Sequence, residues 1–326
     1  AAISRAVPRA GSRRCSSARM GTRLRSAAGL WAGMAASLAR TGLGAGWVRL
    51  APMQALPAEA AAAIVPRAAT TTLIVRDGPQ GLEVLMVRRS PHASFMPGAY
   101  VFPGGAVDAA DAGAPVDEPA EALQQRLGHV TGTGERARAH AVAGLRECFE
   151  ECGLWLGLDA VPADTLSGLR ARLHAGESFA ALAAAAGLPL ATRALQPWAR
   201  WVTPVGLPKR FDTVFLVAPA PAGQAPTVDA GETTTLAWVH PPAALRAHAD
   251  GAFAMEFATV RTVESLRPFA GAAALLAHAG GLQTLPTVHP RLQLDAQGRV
   301  TGVLLPGQSG YDEAPLRHVA PAAGGC

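Results

Sequence analysis

The sequence predicts a mixed α/β fold in which helices pack against one sheet. Short apolar runs typical of strands alternate along the chain with longer segments whose apolar residues repeat at helical spacing. This order of strands, helix, helical insert, strands, helix and strands favours one core domain with inserts. The chain of 326 residues is 49% hydrophobic and 16% charged, which suffices for a sizeable core and is too apolar for a disordered protein.

The first half of the body contains two predicted strands, at 70–75 and 82–89, on either side of a turn that contains Gly and Pro. A loop rich in Pro and Gly follows at 90–105. Residues 106–138 show little pattern, and we expect an inserted excursion with one short helix there. Residues 139–153 predict a helix, because their apolar residues fall near one stripe and a glycine ends the segment.

The second half continues the alternation. We predict a helical insert at 161–196, strands at 211–219 and 233–240, helical structure at 256–279, and a hairpin at 291–305 that turns at 295–298. We therefore expect the main domain at 66–285 and a C-terminal hairpin extension at 286–326. The hairpin is a candidate to cover an edge of the sheet.

Residues 1–52 are predicted to lie outside the fold, because they show no hydrophobic period. They hold nine Arg and no Asp or Glu, so the remaining 20 basic and 24 acidic residues leave the body at −4. The body therefore offers no basic surface for nucleic acid, and its charge-free stretches are too short for a membrane-spanning helix. The segment loosely resembles a signal or transit peptide; translation from Met53 is the interpretation we favour.

Four cysteines are present, Cys15, Cys148, Cys152 and Cys326. The middle two lie one turn apart on the predicted helix, but no further Cys or His stands at zinc-ligand spacing, so we expect buried thiols. This usage indicates a reducing compartment, and we expect a cytoplasmic protein. The last residues are not the Ser-Lys-Leu peroxisomal signal.

Three glutamates are the main candidate functional residues. Glu147, Glu150 and Glu151 stand at i, i+3 and i+4 of the predicted helix, so their carboxylates project from one face. Without partners they would repel each other and raise each other's pKa, a cost that a divalent cation removes. Hard oxygen ligands suit Mg²⁺ or Mn²⁺. A solvated acidic helix face is the alternative interpretation.

A glycine-containing turn, Phe102-Pro103-Gly104-Gly105, precedes this helix and tolerates backbone angles that would bring a carbonyl beside the carboxylates. The turn and the helix together resemble the signature of the Nudix hydrolases. That pattern runs Gly, five residues, Glu, seven residues, Arg-Glu, apolar, any, Glu-Glu, any, Gly, apolar. Its second half is matched by Arg146, Glu147, Glu150, Glu151, Gly153 and Leu154, with Cys148 at the apolar position.

The first half of the signature departs from the family pattern. The pattern puts 13 residues between the Gly and the Arg, whereas 40 residues (106–145) separate Gly105 from Arg146. If the insert follows the first part of the loop, Asp111 takes the place of the first Glu; if it precedes the helix, Arg138 does. Both alternatives stay open from the sequence.

The resemblance implies an αβα sandwich and hydrolysis of a nucleoside diphosphate linked to another moiety. It implies that Glu147, Glu150, Glu151 and the backbone of Gly105 hold the metal ions. Glu150 is our candidate for accepting or orienting the proton of the attacking water. Arg146 would pair with a glutamate and fix its rotamer, and an ordinary surface ion pair is the alternative.

The substrate class is indicated by a second resemblance. Residues 85–105 are similar to the coenzyme A pyrophosphatase signature, in which an Arg stands where this chain has Ser94. The interrupted signature, with 201–204 and 209–213, resembles the peroxisomal coenzyme A diphosphatases of mammals and their bacterial relatives, over roughly 68–285. This likeness implies cleavage of CoA or acyl-CoA to 3′,5′-ADP and (acyl-)phosphopantetheine.

Five residues are candidates for contacting that substrate. Arg88, Arg89, Lys209 and Arg210 would bind phosphates, including the 3′-phosphate, and Phe102 would pack on the base. Solvated charge at strand ends and a core aromatic are the alternatives.

Two other functions stay open. One is a Nudix hydrolase for ADP-ribose, NADH or another nucleoside diphosphate derivative, because fold and signature do not fix the substrate. The other is a catalytically weak module that binds a nucleotide and regulates a partner. We expect a small-molecule partner and no nucleic acid, and leave a homodimer open.

Overall fold

The computed structural model describes residues 54–92, 96–229, 233–285 and 287–312. It places one eight-stranded sheet between two layers of helices, beside a separate two-stranded hairpin. The predicted mixed α/β fold, with helices on the sheet, is confirmed. What the sequence predicted for the leader, Ser94, Cys15 and Cys326 lies outside the described residues.

The sheet is built around a long parallel pair of strands. Its strands are β1 (Arg67–Gly78), β2 (Gly81–Arg89), β3 (Tyr100–Val101), β4 (Gly104–Ala106), β5 (Gln196–Val202), β6 (Phe211–Pro219), β7 (Thr233–Val239) and β8 (Thr287–Val288). Strands follow the order β3-β2-β1-β6-β5-β8, with β4 paired to β1 and β7 to β2. The four predicted strands are all present. Strand β5 was missed, because no element was predicted between the helical stretch that ends at residue 196 and the strand that begins at residue 211.

The segment predicted as a Pro/Gly loop forms the short strands β3 and β4, which pair with β2 and β1 where those two strands no longer pair with each other. β1 pairs with β2 only over Val75–Gly78, next to the tight turn that joins these two strands. At its other end β1 pairs with β4 instead. β3 pairs with the far end of β2. The amide of Thr72 donates to the Pro103 carbonyl (2.9 Å), which fixes the turn between the two short strands against β1. The glycine turn is therefore held inside the sheet.

Helices cover both faces of the sheet. They are α1 (Ala58–Ala62), α2 (Ala120–Thr131), α3 (Gly134–Cys152), α4 (Ala163–His174), α5 (Phe179–Ala186), α6 (Pro241–Ala249), α7 (Phe257–Leu266) and α8 (Ala272–Gly280), with 3-10 turns at Ala109–Gly113 and Thr192–Ala194. The predicted stretch 161–196 is two helices and a turn, and 256–279 is also two helices. α3 begins at 134 instead of 139, because the Thr133 hydroxyl accepts the Arg136 amide (3.2 Å) and caps it.

Two apolar clusters hold the layers together. Alternate residues of a strand point to opposite faces, so Ile74 packs under α2–α5 while its neighbour Leu73 packs under α6–α8. Phe149 of α3 lies at the first cluster and Leu275 of α8 at the second, both fully buried. The site helix α3 is thereby anchored to the sheet by one side.

The predicted C-terminal hairpin is present as β9 (Arg291–Leu294) and β10 (Val300–Leu304). It forms its own sheet, and Leu292 and Val300 share a small apolar cluster with Ala55. At the end of the main sheet, β5 is paired with β8 rather than with the hairpin. No helix of the described ranges is both long enough and apolar enough to cross a bilayer.

Candidate active site

Helix α3 carries the three candidate glutamates close to the glycine turn. Gly144 lets the helix approach β1, since a Cβ there would lie 3.0 Å from the Thr72 hydroxyl. The Glu151 carboxylate accepts the amide of Gly104 (3.1 Å). At Gly105 a Cβ would lie 2.6 Å from the Glu147 carboxylate. The turn and the helix thus meet at carboxylates, and the hydrogen bond between them comes from a backbone amide of the turn, whereas the prediction concerned a carbonyl.

Arg146 joins the acidic groups around it. Its guanidinium donates to Glu147 (2.8 Å) and Glu150 (3.0 Å), and to the Ala106 carbonyl (2.8 Å). It also donates twice to Asp111, from Nε (3.2 Å) and Nη2 (3.1 Å). The side chain is only 10% exposed, so these charge-assisted bonds are shielded from water.

Asp111 and Arg138, the two alternatives for the first Glu of the signature, have different surroundings in the structure. Asp111 is the residue beside Arg146, whereas Arg138 donates to the Ala112 carbonyl (3.4 Å). Asp111 itself is buried and caps the 3-10 turn that starts the insert, accepting the Asp108 amide (2.8 Å). These contacts favour the alternative in which Asp111 takes the place of the first Glu and the surplus residues follow it.

The acidic cluster is defined here as Asp108, Asp111, Glu147, Glu150 and Glu151. Burial raises the pKa of Glu147 to about 7; the Arg146 charge opposes the rise, and the Glu150 charge adds to it. Burial likewise raises the pKa of Glu150, again against Arg146. The cluster contains five carboxyl groups and surrounds one arginine, so it carries more negative charge than that arginine balances.

A divalent cation fits this donor set by its chemistry. Every side-chain donor is a carboxylate oxygen, the type that Mg²⁺ and Mn²⁺ prefer, and the charge is in excess. In the arrangement found, Glu147 and Glu150 bind Arg146. No three His, Cys, Asp or Glu side chains among the described residues form a group that could hold a metal ion.

Arg170 of the helical insert is a residue that sequence reasoning missed. Its Nε and Nη2 donate to the backbone carbonyl of Glu150 (2.9 and 2.6 Å), and Nη1 donates to Thr227 and Val228. The Thr227 amide in turn donates to the Cys152 carbonyl (2.8 Å). These bonds satisfy carbonyls at the C-terminal end of α3. The available signal was an arginine on the apolar stripe of a predicted helix.

Three of the predicted phosphate contacts lie at strand ends. Arg88 and Arg89 end β2, and Arg88 donates to the Gly98 carbonyl (3.2 Å) while remaining exposed. Lys209 is exposed just before β6. Because β1 pairs with β4 and with the start of β6 at the same level, these residues lie toward the end of the sheet that carries Gly105.

Two predicted substrate contacts are corrected by the structure. Arg210 is 4% exposed and donates to the carbonyls of Thr203 (3.2 Å) and Ile64 (2.8 Å), so it holds backbone segments together. Phe102 is 3% exposed and packs in the cluster under α6–α8, where a base cannot reach it. Both were assigned by their place next to motifs, which does not reveal burial.

The prediction of buried thiols is confirmed for the two cysteines of α3. Cys148 and Cys152 are free and fully buried, and burial raises the pKa of both thiols. They are packing residues of the site helix.

Comparison with known proteins gives likenesses in sequence and in fold. No family model matches the chain. The acyl-coenzyme A diphosphatase NUDT19 of Homo sapiens is 31% identical over 179 residues, which cover 42% of this chain and 48% of that protein. Its counterpart from Gallus gallus is 30% identical, covering 52% and 56%. The chain thus spans about half the length of the curated relatives it matches.

Among solved structures, a NUDIX hydrolase from Alicyclobacillus acidocaldarius is similar with a TM-score of 0.55 and 27% identity. The match covers 66% of this chain and 97% of that one. Almost the whole of that solved structure therefore has its counterpart in this chain.

Proposed function

We propose a function from one premise: this chain has the fold of the Nudix hydrolases and resembles them in sequence. The proposed reaction is the hydrolysis of a diphosphate bond, with Mg²⁺ or Mn²⁺ as cofactor. The proposed substrate is CoA or acyl-CoA, and the products are 3′,5′-ADP and (acyl-)phosphopantetheine. The names of the two vertebrate relatives and the signature-like residues 85–105 support this substrate class.

The observation that carries the proposal is the arrangement around Arg146. One buried guanidinium holds Asp111, Glu147 and Glu150 together, at the place where Gly105 approaches Glu147. The signature motif accounts for this set of residues, whereas a solvated acidic helix face does not place a buried arginine among its carboxylates.

Glu150 is proposed to accept or orient the proton of the attacking water. Its side chain is 28% exposed, against 13% for Glu147, and Glu151 is buried and occupied by the Gly104 amide. Glu150 is therefore the glutamate that water reaches best, and its raised pKa favours a role in proton transfer.

The remaining residues of the site are proposed to bind and orient. Glu147, Glu150, Glu151 and the Gly105 backbone would hold the divalent ions, which when bound neutralise the diphosphate and activate water. Arg146 keeps the Glu147 and Glu150 side chains in place through direct hydrogen bonds. Arg88, Arg89 and Lys209 are proposed to contact substrate phosphates.

The test compares Glu150→Gln with the wild type on a panel of CoA, acyl-CoA, ADP-ribose and NADH, with Mg²⁺ or Mn²⁺, read by mass spectrometry. We expect the wild type to release 3′,5′-ADP from the CoA compounds, and the variant to lose at least about a hundredfold in kcat while remaining folded. Glu121→Gln on the exposed face of α2 is the matched control and should retain full activity.

The same experiment tests the two rival functions. Preferred hydrolysis of ADP-ribose or NADH would replace the substrate assignment and keep the reaction type. Turnover that is absent in the wild type, with nucleotide binding unchanged by Glu150→Gln, would instead support the regulatory module. The cytoplasmic location, the absence of nucleic acid binding and the homodimer stay predictions.

A further inference from the structure

We propose that a cavity between α3 and the helical insert holds the uncharged arm of the substrate, on the side of the diphosphate away from the nucleoside. The proposal deepens the proposed function and rests on it, because it takes the substrate to be CoA or acyl-CoA. The arm is then the amide-containing pantetheine chain. The insert would thereby select which group may be attached to the diphosphate.

The cavity adjoins the proposed catalytic residues directly. It has a volume of about 230 Å³ and opens between α3, the 3-10 turn and the connection from α4 to α5. Its main lining residues are Val142, Arg146 and Glu150 from α3, and Leu173, Ser178 and Phe179 from the insert. A group bound there would lie next to Glu150, as the part of the substrate adjacent to the cleaved bond must.

The charge of the lining favours a neutral occupant. Asp108, Asp111, Glu150 and Glu177 contribute four carboxylates to the wall, and Arg146 is the one cation among its lining residues; Arg172, outside the wall, balances Glu177, which leaves three carboxylates against one guanidinium. Beyond the reach of metal ions held at Glu150, such a wall repels a phosphate group. It offers hydrogen-bond acceptors to amide N–H and hydroxyl groups, which a pantetheine arm supplies.

Apolar surface is supplied mainly by the insert. Leu173 and Phe179 are both buried against the core and line the cavity, and Val142 of α3 faces them. A cavity of this mixed character binds a chain of methylene and amide groups better than a sugar or a nucleobase phosphate. Its volume is below the roughly 300 Å³ of a site for a whole drug-sized ligand, so it suits one arm of a larger substrate.

The cations proposed to bind phosphate lie outside the cavity lining; Arg88 and Lys209 are exposed and Arg89 is half-buried. Arg88, Arg89 and Lys209 stand at strand ends of the sheet, and none of them lines the cavity. Charge complementarity therefore places the two halves of the substrate differently. The phosphorylated nucleoside would bind toward the strand ends, and the neutral arm would bind toward the insert.

The test fills the cavity from its rim with Ser178→Trp. Ser178 is exposed and precedes α5 without a capping hydrogen bond from its side chain, so its replacement removes no cap. Ala181→Trp is the matched control, because Ala181 is an exposed residue of the same helix that does not line the cavity. Two substrates are compared: CoA, and the methyl ester of 3′-phosphoadenosine 5′-diphosphate, which keeps the nucleotide and the diphosphate but lacks the arm.

We expect Ser178→Trp to lower kcat/KM for CoA by about tenfold or more, and to change kcat/KM for the methyl ester less than twofold. Ala181→Trp should change neither. Equal losses on both substrates, no loss on CoA, or the same loss with Ala181→Trp would each overturn the proposal. If Ser178→Trp fails to fold by circular dichroism, Ser178→Leu is measured in its place.

Failure of this proposal is distinguishable from failure of the proposed function. A wild type that does not hydrolyse CoA removes the proposed function itself. A wild type that hydrolyses CoA, with both Trp variants unaffected, leaves the function standing and removes only the assignment of the cavity.

Discussion

Two arginines reach Glu150 from different parts of the molecule. Arg146 lies one turn earlier on the same helix and binds the Glu150 carboxylate, whereas Arg170 comes from the helical insert and binds the Glu150 backbone carbonyl. Arg146 therefore sets the direction of the side chain, and Arg170 sets the end of the helix that carries it. The comparison teaches that the insert is part of the site's framework although it lies outside the signature motif.

The first prediction breaks the Arg146 side of the comparison and has the largest expected effect. Arg146→Met should lower the free energy of unfolding by about 3–5 kcal/mol, because it leaves Asp111 and Glu147 buried without their cation. Urea unfolding measures this. Arg172→Met, which removes an exposed ion pair with Glu177, is the control and should cost about 1 kcal/mol or less. Equal effects of the two variants would contradict the buried network.

The second prediction breaks the Arg170 side. Arg170→Met should lower the free energy of unfolding by about 2–3 kcal/mol, since the carbonyls of Glu150 and Val228 and the Thr227 groups lose their donor. We also expect kcat for CoA to fall, because the end of α3 that carries Glu150 loses its bonds to Arg170. KM should change little, because the Glu150 carboxylate keeps its bond to Arg146. Arg170→Lys should restore part of kcat. A KM effect alone would show that Arg170 serves binding instead of the position of Glu150.

The third prediction concerns His140, which lies two turns before Glu147 on the same helix. It extends the comparison to the effect of low pH on the stability of α3. Burial lowers the pKa of His140 to about 4, and the neighbouring Arg136 and Arg200 add to this while Asp212 opposes it. The unfolded state therefore binds the proton more tightly, so stability is fully present above about pH 6.5 and is lost as the pH falls toward 4.

Between pH 7 and pH 5 this loss should amount to about 2 kcal/mol. Glu147 has the opposite sign, because its raised pKa makes acid stabilise the folded state, so the wild type alone does not isolate either group. The measurement is the difference in unfolding free energy between wild type and His140→Gln at the two pH values. A difference that does not change with pH would refute the contribution of His140.

Much of the fold follows from the sequence, because strand runs and helical stripes are local signals. The strands at 82–89 and 211–219 were predicted from apolar runs and are present at those positions. The two short strands around the glycine turn were not predicted, since their ladder partners lie on β1 and β2 and only tertiary pairing makes them strands. The same holds for β5, whose strand begins where an apolar helical stretch ends.

The candidate site divides in the same way. The structure brings Arg146 together with Glu147 and Glu150, and the sequence could predict this grouping because their spacing is local and fixed by one helix. Arg170 was missed and Arg210 was misassigned because the sequence does not show whether an arginine side chain is exposed to solvent or donates to backbone carbonyls. Phe102 was misassigned for the same reason, since a residue beside a turn can face the core. The roles of Arg170, Arg210 and Phe102 depend on their burial and on contacts with residues distant in the sequence.

The parallel pairing of β1 and β6 at the centre of the sheet has a consequence for biogenesis. Arg67 is the register partner of Phe211, 144 positions later in the chain, so the sheet can close only after a long delay during synthesis. At ribosomal speeds that interval is on the order of ten seconds. During it β1 has β2 and β4 beside it, but the edge that later pairs with β6 stays open, and the nascent protein is then most exposed to aggregation and most dependent on chaperones.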